Sequence, residues 1–157
     1  DLFIYWLVRF FVKMLKVMIK RLSDEAIIPT YVHKGDAGMD IYSIEDKVIN
    51  PGEYVLISTG IAISIPYGYE AQVRPKSGLS ANFGLTVLNT PGTIDCHYRG
   101  EIKVICINLG NNQYKVEKKK KIAQLVFNKV EEVSFEEVSE LDETMRGKGG
   151  FGSTGLG

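Results

Sequence analysis

Turn signals recur about every 8–12 residues through the middle of this chain, which leaves room for short strands and little else. Lys34-Gly35-Asp36-Ala37-Gly38, Asn50-Pro51-Gly52-Glu53, Pro66-Tyr67-Gly68 and Asn89-Thr90-Pro91-Gly92 each join residues that preset or free a backbone angle. The runs between them are apolar and alternate. Tyr54 to Ile65 reads as one strand, with Ile61, Ile63 and Ile65 opposite Ala62 and Ser64. Tyr69 to Val73 is the next, with Ala71 and Val73 on one face and Gln72 on the other. Ile102 to Leu109 is apolar at nearly every position, which predicts a strand covered on both faces by a second sheet or by other subunits. Ile122 to Val130 is strand again, and Ser80 to Phe83 a short helical turn. About ten short strands with almost no helix predict an all-β, antiparallel sandwich or barrel. At 157 residues, one such domain accounts for most of the chain.

The two ends depart from this grammar. Asp1 to Leu15 is strongly apolar and does not begin with Met. Arg9, Lys13, Lys16 and Lys20 are spaced to share one helix face, so a basic amphipathic helix making membrane contact through residues 1–20 is one reading. The other is an upstream extension of uncertain origin over 1–15, with the native start at Met14 or Met18 and Lys16 to Leu22 as the first strand. Glu131 to Glu140 is acidic and carries Val133, Phe135 and Val138, which predicts a last strand or an arm over a neighbour. The tail from Arg146 to Gly157 is too rich in glycine to be a core element.

Three loops carry candidate chemistry. Leu88 to Glu101 holds Asn89, Asp95 and Tyr98 on a hairpin between apolar runs, a place where rigid sheets present binding groups. In Arg74 to Leu79, two cations, a serine and a glycine suit phosphate. The tail offers a ring to stack on a base, and hydroxyls and a guanidinium for phosphate. For each there is a plainer reading: a capped turn, a solvated turn and a solvent tail. Charge narrows the field. Nineteen basic and nineteen acidic residues cancel, which argues against a general nucleic-acid binder. Cys96, Cys106, His33 and His97 fit no metal spacing and no disulfide framework, which points to a reducing, cytoplasmic setting.

Five separated motifs stand in one order: AGMDI at 37–41, RPKSGL at 74–79, NTPGTIDCHYRGE at 89–101, IAQLVF at 122–127 and RGKGGFGSTG at 146–155. Together they resemble the trimeric deoxyuridine triphosphate nucleotidohydrolases, the dUTPases, over about Lys16 to Gly155. The resemblance implies a jelly-roll β domain over 16–140, a glycine-rich arm over 141–157 that closes a neighbour's site, and a homotrimer. It implies hydrolysis of dUTP to dUMP and pyrophosphate by water attack at the α-phosphorus, with Mg²⁺ held mainly through substrate phosphates and no protein metal cluster. Carried over by motif position, Asp95 is the catalytic base and meets the sugar 3′-OH. Tyr98 packs under the deoxyribose and excludes a 2′-OH. Asn89, Gly92, Thr93 and Ile94 belong to the uracil hairpin. Arg74, Lys76, Ser77, Gly78, Lys103 and Gln124 complete the substrate contacts, most of them at phosphate. Arg146, Phe151, Gly152, Ser153 and Thr154 act from the tail, with Phe151 on uracil. Asp40 is a structural polar group.

Three departures stand out. Lys76 replaces the usual arginine, which keeps the charge without the planar fork. Lys120-Lys121 stands where Gly-Asp is common, in a loop expected outside the first contacts with substrate. Cys96 and His97 take places that are usually small or acidic. Two rival functions remain at this point: a dCTP deaminase of the same superfamily, and a trimeric binding module without turnover.

Overall fold

The computed structural model describes residues 14–153. The helix reading of the N-terminus falls largely on residues outside that range. Within it, β1 (Met18–Arg21) occupies the stretch containing Lys20, so no helix runs through it. The strand alternative for Lys16 to Leu22 is the one observed. Among the described residues, no helix is long and apolar enough to cross a membrane.

Ten more strands follow: β2 (Gly38–Tyr42), β3 (Lys47–Ile49), β4 (Tyr54–Ser58), β5 (Ile61–Ser64), β6 (Tyr69–Arg74), β7 (Leu85–Val87), β8 (Gly92–Ile94), β9 (Lys103–Asn108), β10 (Tyr114–Val116) and β11 (Lys121–Lys129). The helical turn is longer than predicted, as α1 (Ser77–Phe83). It stops at Gly84, whose φ of 69° turns the chain left-handed and lets its N–H cap the carbonyls of Leu79 and Ser80. Every strand pair is antiparallel. The main sheets run in the orders β2-β11-β6-β8 and β4-β9-β7, and two-stranded pairs β1-β5 and β3-β10 complete the fold. Their inner faces meet in one core that includes Ile41, Ile57, Leu85, Val104 and Leu125.

One strand reading needs correction. Tyr54 to Ile65 is two strands, broken at Thr59-Gly60. The break has a job. The Thr59 hydroxyl donates to the Ile102 carbonyl, the Gly60 N–H donates to the Glu101 carboxylate at 2.9 Å, and the Ile102 N–H donates to the Ile61 carbonyl at 2.9 Å. The Gly60 N–H is free for the carboxylate because the break takes it out of a strand ladder. Of the two covers expected for Ile102 to Leu109, a second sheet within the chain accounts for one face. In one chain β9 is buried on one face only, while Ile105 and Ile107 on the other are half-exposed. Glu131 to Glu140 forms no strand and is exposed throughout.

Candidate active site

The Leu88 to Glu101 excursion crosses between the two main sheets. It leaves the β4-β9-β7 sheet after β7, whose Val87 pairs with Cys106 of β9. It then lays β8 on β6, with Gly92 opposite Val73 and Ile94 opposite Ala71. The turn between contains a cis Thr90–Pro91 peptide. Past β8 the chain folds back over Asp95, where the Tyr98 N–H donates to the Asp95 carbonyl at 3.1 Å. The Tyr98 hydroxyl donates to the Glu101 carbonyl at 2.9 Å, and Arg99 donates to the carbonyls of Cys96 and Tyr98. Both side chains thus serve first to close the loop's own backbone.

The tyrosine lies directly against Gly100. A Cβ there would come within 2.6 Å of Tyr98 Cζ and 2.9 Å of Cε2. Only glycine leaves room for the ring in this position.

A cleft of about 630 Å³ opens beneath this loop. Asn89, Gly92, Thr93, Ile94, Asp95, Tyr98 and Lys103 all line it. Leu56, Ile105 and Glu101 line it too, and sequence reasoning missed them. Glu101 links the cleft to the strand break, since it accepts from Gly60 and sits 3.6 Å from the Lys103 ammonium. The only signal for it in the sequence is an acid at the end of the third motif.

The predicted phosphate residues lie elsewhere. Lys76 and Gly78 line a second cleft beside α1. Ser77 is exposed at the start of α1. Gln124 is opposite Arg74 on neighbouring strands and donates to the Pro75 carbonyl at 2.9 Å, which fixes the turn that precedes the helix. Arg74 is half-buried, with two N–H groups on the Gln72 side-chain oxygen at 2.9 and 2.7 Å. In the tail, Arg146, Phe151, Gly152 and Ser153 are exposed and reach neither cleft. Thr154 lies outside the described residues.

Asp40 is nearly buried and takes both Lys76 and Lys121, the latter at 2.7 Å. Burial pushes the carboxyl upward, but hydrogen bonds and charge from the two lysines outweigh it and hold the group below its ordinary value of 3.8. Lys121 is correspondingly raised, chiefly by its bond to Asp40. Lys121 lies at the start of β11 and not in a loop, and its bond to Asp40 ties that strand to β2. A carboxylate depressed by folding stabilises the fold above its unfolded pKa and loses that contribution as pH falls through the lower folded value. Asp40→Asn is expected to cost about 1–3 kcal/mol near neutrality, since two cations lose their partner while remaining partly solvated. Urea unfolding at pH 7 and at pH 3 checks this: the variant's deficit should shrink at the lower pH.

The dUTPase family model matches residues 24–155, which include all five motifs. The chain belongs to the dUTPase family. Its reaction is the hydrolysis of dUTP to dUMP and pyrophosphate. Similar curated dUTPases include that of Clostridioides difficile, 59% identical over 143 residues and covering 91% of this chain and 100% of that protein. The Trichodesmium erythraeum (strain IMS101) dUTPase is 57% identical over 141 residues, 90% of this chain and 99% of its own. Among solved structures, the Staphylococcus bacteriophage 80alpha dUTPase with dUPNHPP superposes with a TM-score of 0.84 at 31% identity, covering 90% of this chain and 99% of that one. A dUTPase from phage phi11 of S. aureus, solved with a structural Mg(II) ion, gives 0.74 at 28% identity, with 80% and 97% covered. The jelly-roll-like β fold of this dUTPase and its hydrolase activity agree with the reading from the motifs, and the deaminase and silent-module alternatives fall away.

Proposed function

We propose that this dUTPase works as a homotrimer whose active sites draw residues from more than one chain. The observation that carries this reading is the separation of the motif residues within one chain. The Asp95–Tyr98 hairpin lines one cleft, Lys76 and Gly78 line another, and the described tail residues reach neither. A neighbour that brings its own phosphate turn to the hairpin cleft joins what a single chain keeps apart. The outer face of the β4-β9-β7 sheet supports such packing. Tyr54 and Leu56 are more than half exposed, and they pair across the ladder with half-exposed Ile107 and Ile105. An apolar sheet face of this kind is normally covered. Leu56 and Ile105 also line the hairpin cleft, so a partner on this face would wall the site.

In this reading uracil lies against β8 and the Asn89 turn, with backbone groups reading its edge. Tyr98 lies under the deoxyribose. The exposed Asp95 carboxylate takes a proton from water as the water oxygen bonds to the α-phosphorus; the bridging α–β P–O bond breaks and pyrophosphate leaves. Lys76, the Ser77–Gly78 segment and Gln124 offset the growing charge on the phosphates. Among the described residues no three acids, histidines or cysteines converge on one point. Mg²⁺ would be held mainly through triphosphate oxygens and water and would supply charge neutralisation there; the carboxylates that line the cleft are Asp95 and Glu101. The arm over 141–157 closes the site and excludes water.

Gly100→Ala tests the sugar contact. The added methyl displaces the Tyr98 ring, so kcat/KM for dUTP should fall roughly tenfold, a loss typical of a misplaced positioning group. Activity on UTP should fall less, which narrows the dUTP/UTP ratio. An unchanged ratio in steady-state assays of both nucleotides would remove Tyr98 as the selector. Mass measurement in solution checks the trimer: three chains are expected for the active species.

A further inference from the structure

Glu101 ends the third motif, and its carboxylate reaches out of the hairpin. The side chain is 22% exposed. One carboxylate oxygen accepts the Gly60 N–H at 2.9 Å, from a residue 41 positions earlier in the chain. The other stands 3.6 Å from the Lys103 ammonium. Gly60 is buried, sits at φ 68° and lies between β4 and β5, outside either strand. A buried amide there needs an acceptor, and the carboxylate supplies a charged one. The approach to Lys103 is the weaker contact, because that lysine is 45% exposed and largely solvated.

The same residue holds the tyrosine. Its backbone carbonyl accepts the Tyr98 hydroxyl at 2.9 Å. Between Cys96 and Gly100, every hydrogen bond among the described residues stays inside the hairpin. The leg that returns to β9 is fastened at Glu101 and Ile102, whose three bonds reach Thr59, Gly60 and Ile61. The bond to Gly60 is the one among them that a side chain of the hairpin makes. Tyr98 therefore takes its place from a carbonyl that this carboxylate anchors.

We propose that Glu101 is a positioning residue: by gripping Gly60 it fixes the carbonyl that holds Tyr98, and so sets the discrimination between dUTP and UTP. The proposal rests on the reading above that puts Tyr98 under the deoxyribose. The bond to Gly60 carries the effect, and the charge beside Lys103 does not. Small shifts of the ring are sufficient, since a misplacement of about 1 Å can cost on the order of 10²-fold in rate.

The test compares variants of the full chain by two readouts, the dUTP/UTP ratio of kcat/KM and amide hydrogen exchange. Glu101→Ala removes the acceptor, and the ratio should fall roughly tenfold. Peptides containing Gly60 and Tyr98 should then exchange faster, while one containing Leu125 in the core keeps its rate. Glu101→Gln keeps an oxygen for the Gly60 N–H and drops the charge, so it should restore both readouts. Glu101→Asp keeps the charge but falls one methylene short of Gly60, and should behave as the alanine variant. A part in folding alone would lower activity on both nucleotides together and leave the ratio unmoved. Gly100→Ala, measured alongside, reports on Tyr98 independently. If it narrows the ratio and Glu101→Ala does not, the proposal is overturned while the Tyr98 assignment stands. If neither narrows it, the Tyr98 assignment fails and the proposal falls with it. Unchanged exchange at Gly60 in the alanine variant, or a glutamine variant as unselective as the alanine one, also overturns the proposal.

Discussion

Asp95→Asn is expected to lower dUTP turnover by on the order of 10²–10⁴-fold, the range that a positioned general base supplies. Binding of a non-hydrolysable dUTP analogue should change little. The substitution keeps the side chain's size, and the loop around Asp95 is held by backbone and neighbouring groups, not by its carboxylate. The Tyr98 N–H meets the Asp95 carbonyl, Tyr98 meets Glu101, and Arg99 meets Cys96. The variant hairpin therefore retains its shape, and only the proton acceptor is gone. Rapid-quench measurement of the chemical step with analogue affinity measured in parallel checks both halves. Turnover within a few-fold of the parent would remove Asp95 as the base.

Deleting Arg146 to Gly157 should have the second largest effect. The described part of this segment bonds only locally, as in the Arg146 contact to the Gly149 carbonyl at 2.9 Å, and Phe151 is fully exposed. Among the described residues nothing in the core depends on it, so the truncated protein should fold and assemble as before. Activity should drop on the order of 100-fold, because an open site leaves the triphosphate poorly aligned and wet. Thermal unfolding and solution mass establish the first expectation and a pyrophosphate-release assay the second. Full activity in the truncated protein would contradict closure by the arm.

Much of the fold is legible in the amino-acid sequence. The turns at Asn50-Pro51-Gly52 and Pro66-Tyr67-Gly68 bound strands as expected, and Asp40 lies in β2, an edge strand of its sheet. Seven predicted residues of the hairpin motif and its surroundings line one cleft. What escaped the sequence is long-range. Alternation along Tyr54 to Ile65 reports which side chains face inward, but not that Thr59 and Gly60 leave the ladder to tie down Ile102 and Glu101. Lys121 lies far along the chain from Asp40, and no local pattern links them. The β8 segment likewise reads as part of a simple hairpin, although it pairs with β6 in the other sheet. Periodicity carries the face of a strand and says nothing about its neighbours.

A site shared between chains makes a quantitative demand. Asp95→Asn and the tail deletion inactivate different parts of it, so a mixture of the two can restore what neither variant has. If a site takes Asp95 from one chain and its closing arm from another, random trimers from an equal mixture recover about one quarter of parent activity, since each part is intact with independent odds of about one half. The measurement is to unfold both variants together, refold them and assay dUTP hydrolysis. Recovery near that fraction is the expected result. Activity no higher than that of the separately refolded variants would contradict a site completed by a neighbour's arm.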